Sequence, residues 1–529
     1  TWKPLTDFLA NIGVTTLAFD PKNTRVIYAG TGESFASNFR GFGIFRSTDA
    51  GATWEHLAST RNSNFFFVNK LVVSPVDSSR LYAATTTGLF RSLDAGASWT
   101  RVIDTGCQEI AYRTDQPNDY LFVSCPATAG LPAGATIFRN TNAGGDGAWE
   151  PVFTADNMGR TSLAVAPSNQ AVVYAMAAYR INGELSNSFL AIYRSTSNGD
   201  RDSWERRAHR EDGNRINATI LSNPLLNWAD ICGTGTRGWS NQGSYDNVIA
   251  VDPTNPEILW AGGIDLFRSN DGGLTFGFAS DWAVNPTFRT YVHADQHAIV
   301  FHPQYDGVNN KTLYAAGDGG LYITTDALAP VATGERAYCS TVNYGINWNN
   351  LNTGYATIQF LSGSVYPGGH AYIGGSQDNG TMRGRDSAGF LSWTTVSGGD
   401  GGYSAIDPTN PNTLYTTIQY VNPIRRFDDG GFTARIVMNG ILDRGSTTRF
   451  NFYAPFIMDP NNANRLYLGG RILWRTDDKG ERWTPSAREF DSNASAIAVA
   501  PGNSFRVLAG SSGGFIYRND DAISTTLEN

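Results

Sequence analysis

Two histidines and an aspartate alternate in His293-Ala294-Asp295-Gln296-His297. On an extended strand the three side chains would share one face, roughly 7 Å from one to the next. Such a row suits two chemistries. One is a transition-metal site at His293, Asp295 and His297, completed by ligands from elsewhere; the other is a hydrogen-bonded network in which Asp295 orients the imidazoles. Further acids stand among glycines, in Gly30-Thr31-Gly32-Glu33, Gly317-Asp318-Gly319-Gly320, Gly375-Ser376-Gln377-Asp378-Asn379-Gly380 and Gly398-Gly399-Asp400-Gly401-Gly402. Glycine neighbours let the backbone approach a ligand closely. Asp318 and Asp400 read as an acid/base pair for inverting glycoside hydrolysis, with Asp378 or Glu33 as substitutes. The same carboxylates suit Ca²⁺ or another divalent metal, or the fixing of turns. No cofactor is required by the hydrolytic reading.

The elements that position these groups are set by a repeat. An apolar strand closing on Asp-Pro or a similar pair leads to a second strand carrying Leu-Tyr or Val-Tyr, then Gly, then an aromatic-Arg-Ser/Thr strand and a turn that closes on Trp. First strands fall at 14–20, 70–74, 109–114, 162–166, 248–252, 298–302, 358–366, 403–407, 456–459 and 496–500. A period of this length matches one four-stranded propeller blade with variable loops. The composition agrees: 57 Gly and 22 Pro beside 12% aromatic and 17% charged residues suit short strands and tight turns. The expected fold is all-β, a single propeller of about ten four-stranded blades spanning 1–529. Two smaller propellers in tandem are the alternative. The tenth unit ends without its Trp strand, and residues 1–5 resemble that missing piece, so the N- and C-terminal strands are expected to close one ring.

The turn recurs in a fixed frame. Ser47-Thr48-Asp49-Ala50-Gly51-Ala52-Thr53-Trp54 returns as Ser92-Leu93-Asp94-Ala95-Gly96-Ala97-Ser98-Trp99, as Ser269-Asn270-Asp271-Gly272-Gly273-Leu274-Thr275-Phe276 and as Thr476-Asp477-Asp478-Lys479-Gly480-Glu481-Arg482-Trp483. Interrupted copies lie at 140–149, 195–204 and 324–348. The short Asp carboxylate is expected to accept N–H groups two residues on, with Gly supplying a positive φ and Trp packing between sheets. These aspartates are structural. Most tryptophans fit the repeat, which leaves Trp228, Trp239 and Trp282. The first two belong to a large insertion, 207–246, at the rim. The three form either a platform on which sugar rings stack or a plug that seats the insertion on its own blade.

A net charge of -8 excludes polyanion binding, so no nucleic acid is expected. No apolar run is long enough for a transmembrane segment, and no signal-peptide pattern opens the sequence, as expected of a chain numbered after cleavage. Cys107 and Cys125 flank a hairpin with its turn at Asp115-Gln116-Pro117-Asn118. They read as a disulfide, with two buried thiols as the alternative. A disulfide there fits a secreted protein, extracellular, periplasmic or at the cell surface. Cys232 and Cys339 lie in insertions and are left unpaired at this level.

The turn resembles the Asp-box, or BNR repeat, of sialidase-like and sortilin-like propellers. With His-Ala-Asp-Gln-His and Gly-Ser-Gln-Asp-Asn-Gly-Thr, the chain is similar to bacterial propellers labelled sialidase-repeat or sortilin-type glycosyl hydrolases. It is also similar to the xyloglucanase family, whose tandem seven-bladed propellers use two aspartates across a cleft. Asp318 in Gly-Asp-Gly-Gly-Leu-Tyr resembles one of the two and Asp400 in Gly-Gly-Asp-Gly-Gly-Tyr the other. True sialidases share the Asp-box but add an arginine triad and a Phe-Arg-Ile-Pro start. Arg180-Ile181-Asn182 and Arg435-Ile436-Val437 lack that proline, and sialidase activity is not expected. Taken together with the residues that break the repeat, the resemblance leads to the expectation of a secreted propeller that binds an extended glycan in its channel or rim through Glu33, His293, Asp295, His297, Trp228, Trp239 and Trp282, with hydrolysis by Asp318, Asp400 or Asp378. Of these the resemblance itself reaches only Asp318 and Asp400. Sortilin-like receptors imply the alternative, a non-catalytic scaffold that binds peptide or protein. The oligomeric state is not legible.

Overall fold

The structure is a computed structural model that describes residues 2, 5, 13–35, 39–126, 134–339, 345–354, 358–389 and 392–523. Among them the strands form ten antiparallel sheets, nine of four strands and one of three. Each sheet is a meander of successive strands, the blade of a β-propeller. The chain divides into two compact units, Thr1–Thr353 with six sheets and Gly354–Asn529 with four.

Each expected first strand opens a sheet, from Val14–Asp20 and Val68–Val73 to Phe456–Asp459 and Ala494–Ala500. Within each unit the first strand of one sheet packs on the first strand of the next. The cores lie between neighbouring sheets. Tyr28 and Ile44 of the first sheet meet Leu71, Val73, Leu81, Ala83 and Phe90 of the second in one buried cluster. Phe456, Leu466 and Trp474 form the same kind of layer with Tyr415 and Trp483 in the second unit.

The repeated turn is held by its aspartate. Asp49 accepts the Thr53 N–H at 2.8 Å, the Thr53 hydroxyl at 2.6 Å and the Ser47 hydroxyl at 2.8 Å. The carboxylate therefore reaches four residues on rather than two, because Ala50 and Gly51 both take positive φ and curl the chain back over it. Asp94, Asp271 and Asp478 repeat this pattern onto Ser98, Thr275 and Arg482. A further copy lies in Asp428-Asp429-Gly430-Gly431, where Asp429 accepts the Thr433 N–H at 3.0 Å. Hydrogen bonding, the Thr53 hydroxyl first, holds Asp49 down at about 2, and Ser98 does the same for Asp94.

The last sheet has three strands, Ala494–Ala500, Asn503–Ser511 and Ile516–Asn519. Residues 1, 3 and 4, expected to complete it, lie outside the described residues. Trp2 donates its indole N–H to the Leu351 carbonyl at 2.7 Å.

The rim insertion begins later than expected, because the strand Trp204–His209 continues its sheet through Arg207. Beyond it come three short helices, Arg215–Thr219, Pro224–Asn227 and Ala229–Cys232. Asn214 and Asn223 cap the first two through their side-chain oxygens, and Pro224 starts the second. Two disulfides are present. Cys107–Cys125 joins neighbouring strands as expected, and Cys232–Cys339 ties the insertion to the turn Ala337–Cys339.

Candidate functional site

In the first unit, charged side chains gather where the first strands begin. Lys70 and Glu109 form an ion pair at 2.9 Å. Arg160, in the strand Met158–Val165, follows, and Asp246 and Asp295 stand just before the strands Val248–Val251 and Gln296–Phe301. Because first strands of adjacent blades pack together, these positions form one polar row. Burial lowers the Arg160 pKa, against the pull of Glu109, Asp246 and Glu33. Its guanidinium lies 3.9 Å from the centre of the Phe35 ring. Glu33 thus joins the row through Arg160.

The last residues of the insertion are fastened into this row. Arg160 donates to the carbonyls of Ser244, at 3.0 Å, and Tyr245. Asn247 donates to Gly243 and Arg160 carbonyls at 3.2 Å each. Tyr245 and Asp246 fold back to donate their N–H groups to the Gln242 carbonyl at 2.6 and 3.0 Å. One tight turn therefore presents Gln242, Tyr245 and Asp246 together.

Asp318 occupies the hairpin between Leu313–Gly317 and Gly320–Thr324. Its backbone N–H donates to the Asp295 carbonyl at 3.2 Å. Its carboxylate accepts the Tyr245 hydroxyl at 3.0 Å on both oxygens and faces His297 Nε2 at 2.8 Å. The glycines around it are needed for contact: a Cβ on Gly317 would stand 2.2 Å from the Asp295 carbonyl oxygen, and one on Gly319 would stand 2.1 Å from the His293 side chain. Asn352 latches the hairpin, accepting the Leu321 N–H at 2.7 Å and donating to the Gly319 carbonyl at 2.8 Å.

Asp295 is 6% exposed and accepts the Gln242 amide at 3.1 Å. Carboxylate oxygens of Asp295 and Asp318 lie within 4.8 Å of each other. Burial, and then the charge of Asp318, push Asp295 up to about 6, against the opposing pull of His297 and His293. Asp246 is fully buried, and desolvation with the nearby Asp295 charge raises it well above the usual carboxylate range. The row thus holds an acid raised well above the usual carboxylate range, an acid raised to about 6 and an acid hydrogen-bonded by a phenol. Environments that push paired carboxyls apart in this way separate a proton donor from a charged partner.

The alternating triplet does not form the expected row on one strand face. Asp295 has φ of 67°, so the regular strand begins only at Gln296 and the alternation breaks at its middle member. His293 turns Nδ1 to the Ala294 carbonyl at 3.0 Å, Asp295 faces Gln242, and exposed His297 faces Asp318. The arrangement is a hydrogen-bonded network that includes the Tyr245 ring, edge-on to His297 at 4.7 Å.

In the second unit Asp378 sits at φ of 60° in the hairpin between Ala371–Ser376 and Gly380–Arg385. It donates its N–H to Asp400 Oδ1 at 2.9 Å, and Asp400 donates its own N–H to Gln419 at 3.2 Å. Tyr453 bonds Gln377 at 3.2 Å; burial and the charges of Asp400 and Asp378 push its hydroxyl up. Asp378 and Asp400 are thus joined by a backbone-to-carboxylate bond within the second unit.

The three tryptophans separate. Trp228 is fully buried, packed edge-on against Phe278 at 5.9 Å and donating to Thr219 at 3.2 Å. It is the plug of the insertion and no stacking platform, because its helix turns the indole inward. Trp282 is half-buried, with its backbone N–H donated to Asp265 at 3.0 Å. Trp239 is half-buried beside Arg237, whose guanidinium lies 4.7 Å from the ring centre. Arg160, Gln242, Tyr245 and Asp246 were not singled out from the sequence. The signal was positional: Tyr245-Asp246 precedes its first strand much as Asp295 precedes the next.

No protein-family model matches this sequence, and no curated protein matches it. Among solved structures, the chain is similar to the GH74 xyloglucanase from Xanthomonas campestris, with 17% identity and a TM-score of 0.47 over 98% of this chain and 81% of that one. It is also similar to the Niastella koreensis GH74 enzyme, with 16% identity and a TM-score of 0.43 over 97% of this chain and 77% of that one.

Proposed function

We propose that this propeller binds an extended glycan along the polar row of its first unit and hydrolyses a glycosidic bond there. The observation that carries the reading is the pair Asp295 and Asp318, carboxyls within 4.8 Å of each other, with Asp295 pushed up to about 6. In this reading Asp295 protonates the leaving oxygen. Asp318, oriented by Tyr245 and His297, is the charged partner. Inverting enzymes hold their carboxyls roughly 6.5–9.5 Å apart to admit a water, and retaining enzymes about 5–5.5 Å apart. In this reading Asp318 acts at the anomeric carbon, directly or through a water. Lys70, Glu109, Arg160 and Glu33 supply donors and acceptors for hydroxyl-rich ligand along the row. The two disulfides support export to an oxidising compartment. The chemistry requires no cofactor.

The near-complete burial of Asp295 and Asp246 favours a second reading, a propeller that binds glycan or peptide without chemistry. A panel of polysaccharides assayed with wild type, Asp295→Asn and Asp318→Asn decides between them. Hydrolysis by wild type, lost in both variants with binding retained, supports the first reading. Binding without release of reducing ends supports the second, and hydrolysis unchanged in both variants removes these acids from the reaction.

A further inference from the structure

A cavity of about 410 Å³ opens beside the insertion, between the loop that precedes Phe189–Ser195 and the segment containing Trp239. Its size falls within the range of small-ligand sites, roughly 300–1,000 Å³. Trp239 and Leu185 supply apolar surface, and Arg210, Arg237, Glu184 and Glu211 supply polar groups. We infer that this cavity is a saccharide subsite, which holds a sugar unit of the same chain whose bond lies at Asp295 and Asp318. The inference rests on the glycan reading given above and adds the place where the chain is anchored.

Three features point to a neutral, hydroxyl-rich ligand. The lining holds two arginines and two glutamates, so it carries no net charge to select an anion or a cation. The polar groups are planar and bidentate, a geometry that pairs with neighbouring hydroxyls as it does with carboxylate edges. Arg237 is stacked on Trp239 and spends only Nε on a protein acceptor, the Asn227 side chain at 3.3 Å. Its terminal nitrogens have no acceptor among the described residues. Arg210 is held too, over the Tyr179 ring at 4.6 Å with one bond to Ser188 at 3.3 Å. Fixed donors of this kind lose little freedom when a ligand arrives.

The cavity and the acids share one strip of backbone. Gly238, Gln242 and Gly243 donate their N–H groups to Leu226, Leu221 and Asn187 carbonyls at 3.0, 3.0 and 2.8 Å, and the Asn241 amide bonds the Glu184 carbonyl at 2.8 Å. The same strip then delivers Gln242 to Asp295 and Tyr245 to Asp318. The six steps from Trp239 to Tyr245 span at most about 22 Å when extended, so one oligosaccharide reaches both sites.

The test uses a glycan array of soluble β-glucans, xylans, mannans and galactans, followed by calorimetric titration with oligosaccharides of increasing length from the polysaccharide that binds. Wild type gains affinity in a step once the chain is long enough to reach Trp239. Trp239→Ala loses that step, about tenfold in Kd, Trp239→Phe keeps most of it, and Asp318→Asn keeps it entirely while losing hydrolysis. Thermal melts confirm that the variants fold. An unchanged length profile in Trp239→Ala overturns the subsite and leaves the glycan reading standing. No binding to any glycan by wild type sinks both.

Discussion

The Tyr245 hydroxyl sits 3.0 Å from both carboxylate oxygens of Asp318, across 73 residues of sequence. A single donor shared between the two oxygens fixes the carboxylate plane, and Tyr245 is itself fixed because Arg160 grips its carbonyl.

Tyr245→Phe removes that donor and leaves the ring packed on His297. A hydrogen bond to a charged group contributes about 1.5–3 kcal/mol, so kcat is expected to fall about 10- to 100-fold. The readout is steady-state hydrolysis on the polysaccharide identified in the panel, with near-ultraviolet circular dichroism as a check on the fold.

Asp295 sets a pH dependence with a definite sign. Its carboxyl titrates at about 6 in the folded chain, against the ordinary 3.8, so between these values the folded state holds the extra proton. Stability from this group is complete below the unfolded pKa and is lost as pH rises through about 6. Hydrolysis that uses the protonated acid declines over the same range. The wild-type rate is expected to fall on a high-pH limb near 6, and in Asp295→Asn the corresponding drop in denaturant midpoint between about pH 4 and about pH 7 is expected to shrink.

Replacing Cys232 with Ser opens a loop of 107 residues. On loop-closure entropy alone a loop of this length makes a disulfide worth about 4–5 kcal/mol. The variant is expected to melt earlier than wild type without reductant and to match reduced protein that keeps its other bond. Cleavage by a protease in the insertion would appear first.

Asp271→Ala tests the structural assignment of the repeated turn. It removes acceptors for Leu274, Thr275 and Ser269, at a cost of about 1–3 kcal/mol in denaturant unfolding. Glycan binding and hydrolysis are expected to stay at wild-type values; a selective loss of activity at full stability would assign this aspartate a functional role.

The blade pattern was legible because it is local. A strand, a Gly turn and an Asp four residues before its partner N–H are all encoded within a dozen residues, and each first strand was found in this way. The Cys107–Cys125 bond was legible for the same reason, since both cysteines flank one hairpin. The site is another matter. Asp318 and His297 were visible as residue types, but Tyr245, Gln242 and Asp246 become relevant only when adjacent blades stack and bring their strand starts together. The His-x-Asp-x-His triplet misled because period-two reasoning assumes an extended backbone, and Asp295 departs from it with a positive φ. Trp228 misled because an insertion rich in turn residues still sends its apolar side chains into the core of the adjoining blades, where Trp228 meets Phe278.

The insertion enters and leaves through the edges of two blades whose own hydrogen bonds it does not interrupt. It carries the Trp239 wall of the cavity as well as the two side chains, Gln242 and Tyr245, that bond Asp295 and Asp318. Under the proposed function, ligand contact and acid placement would therefore be set by one continuous segment. A segment spliced in after His209 and before Val248 would have to replace Ile216, Ile220, Leu221 and Trp228 in the core shared with the neighbouring blades, and the Cys232–Cys339 bond, as well as the polar groups.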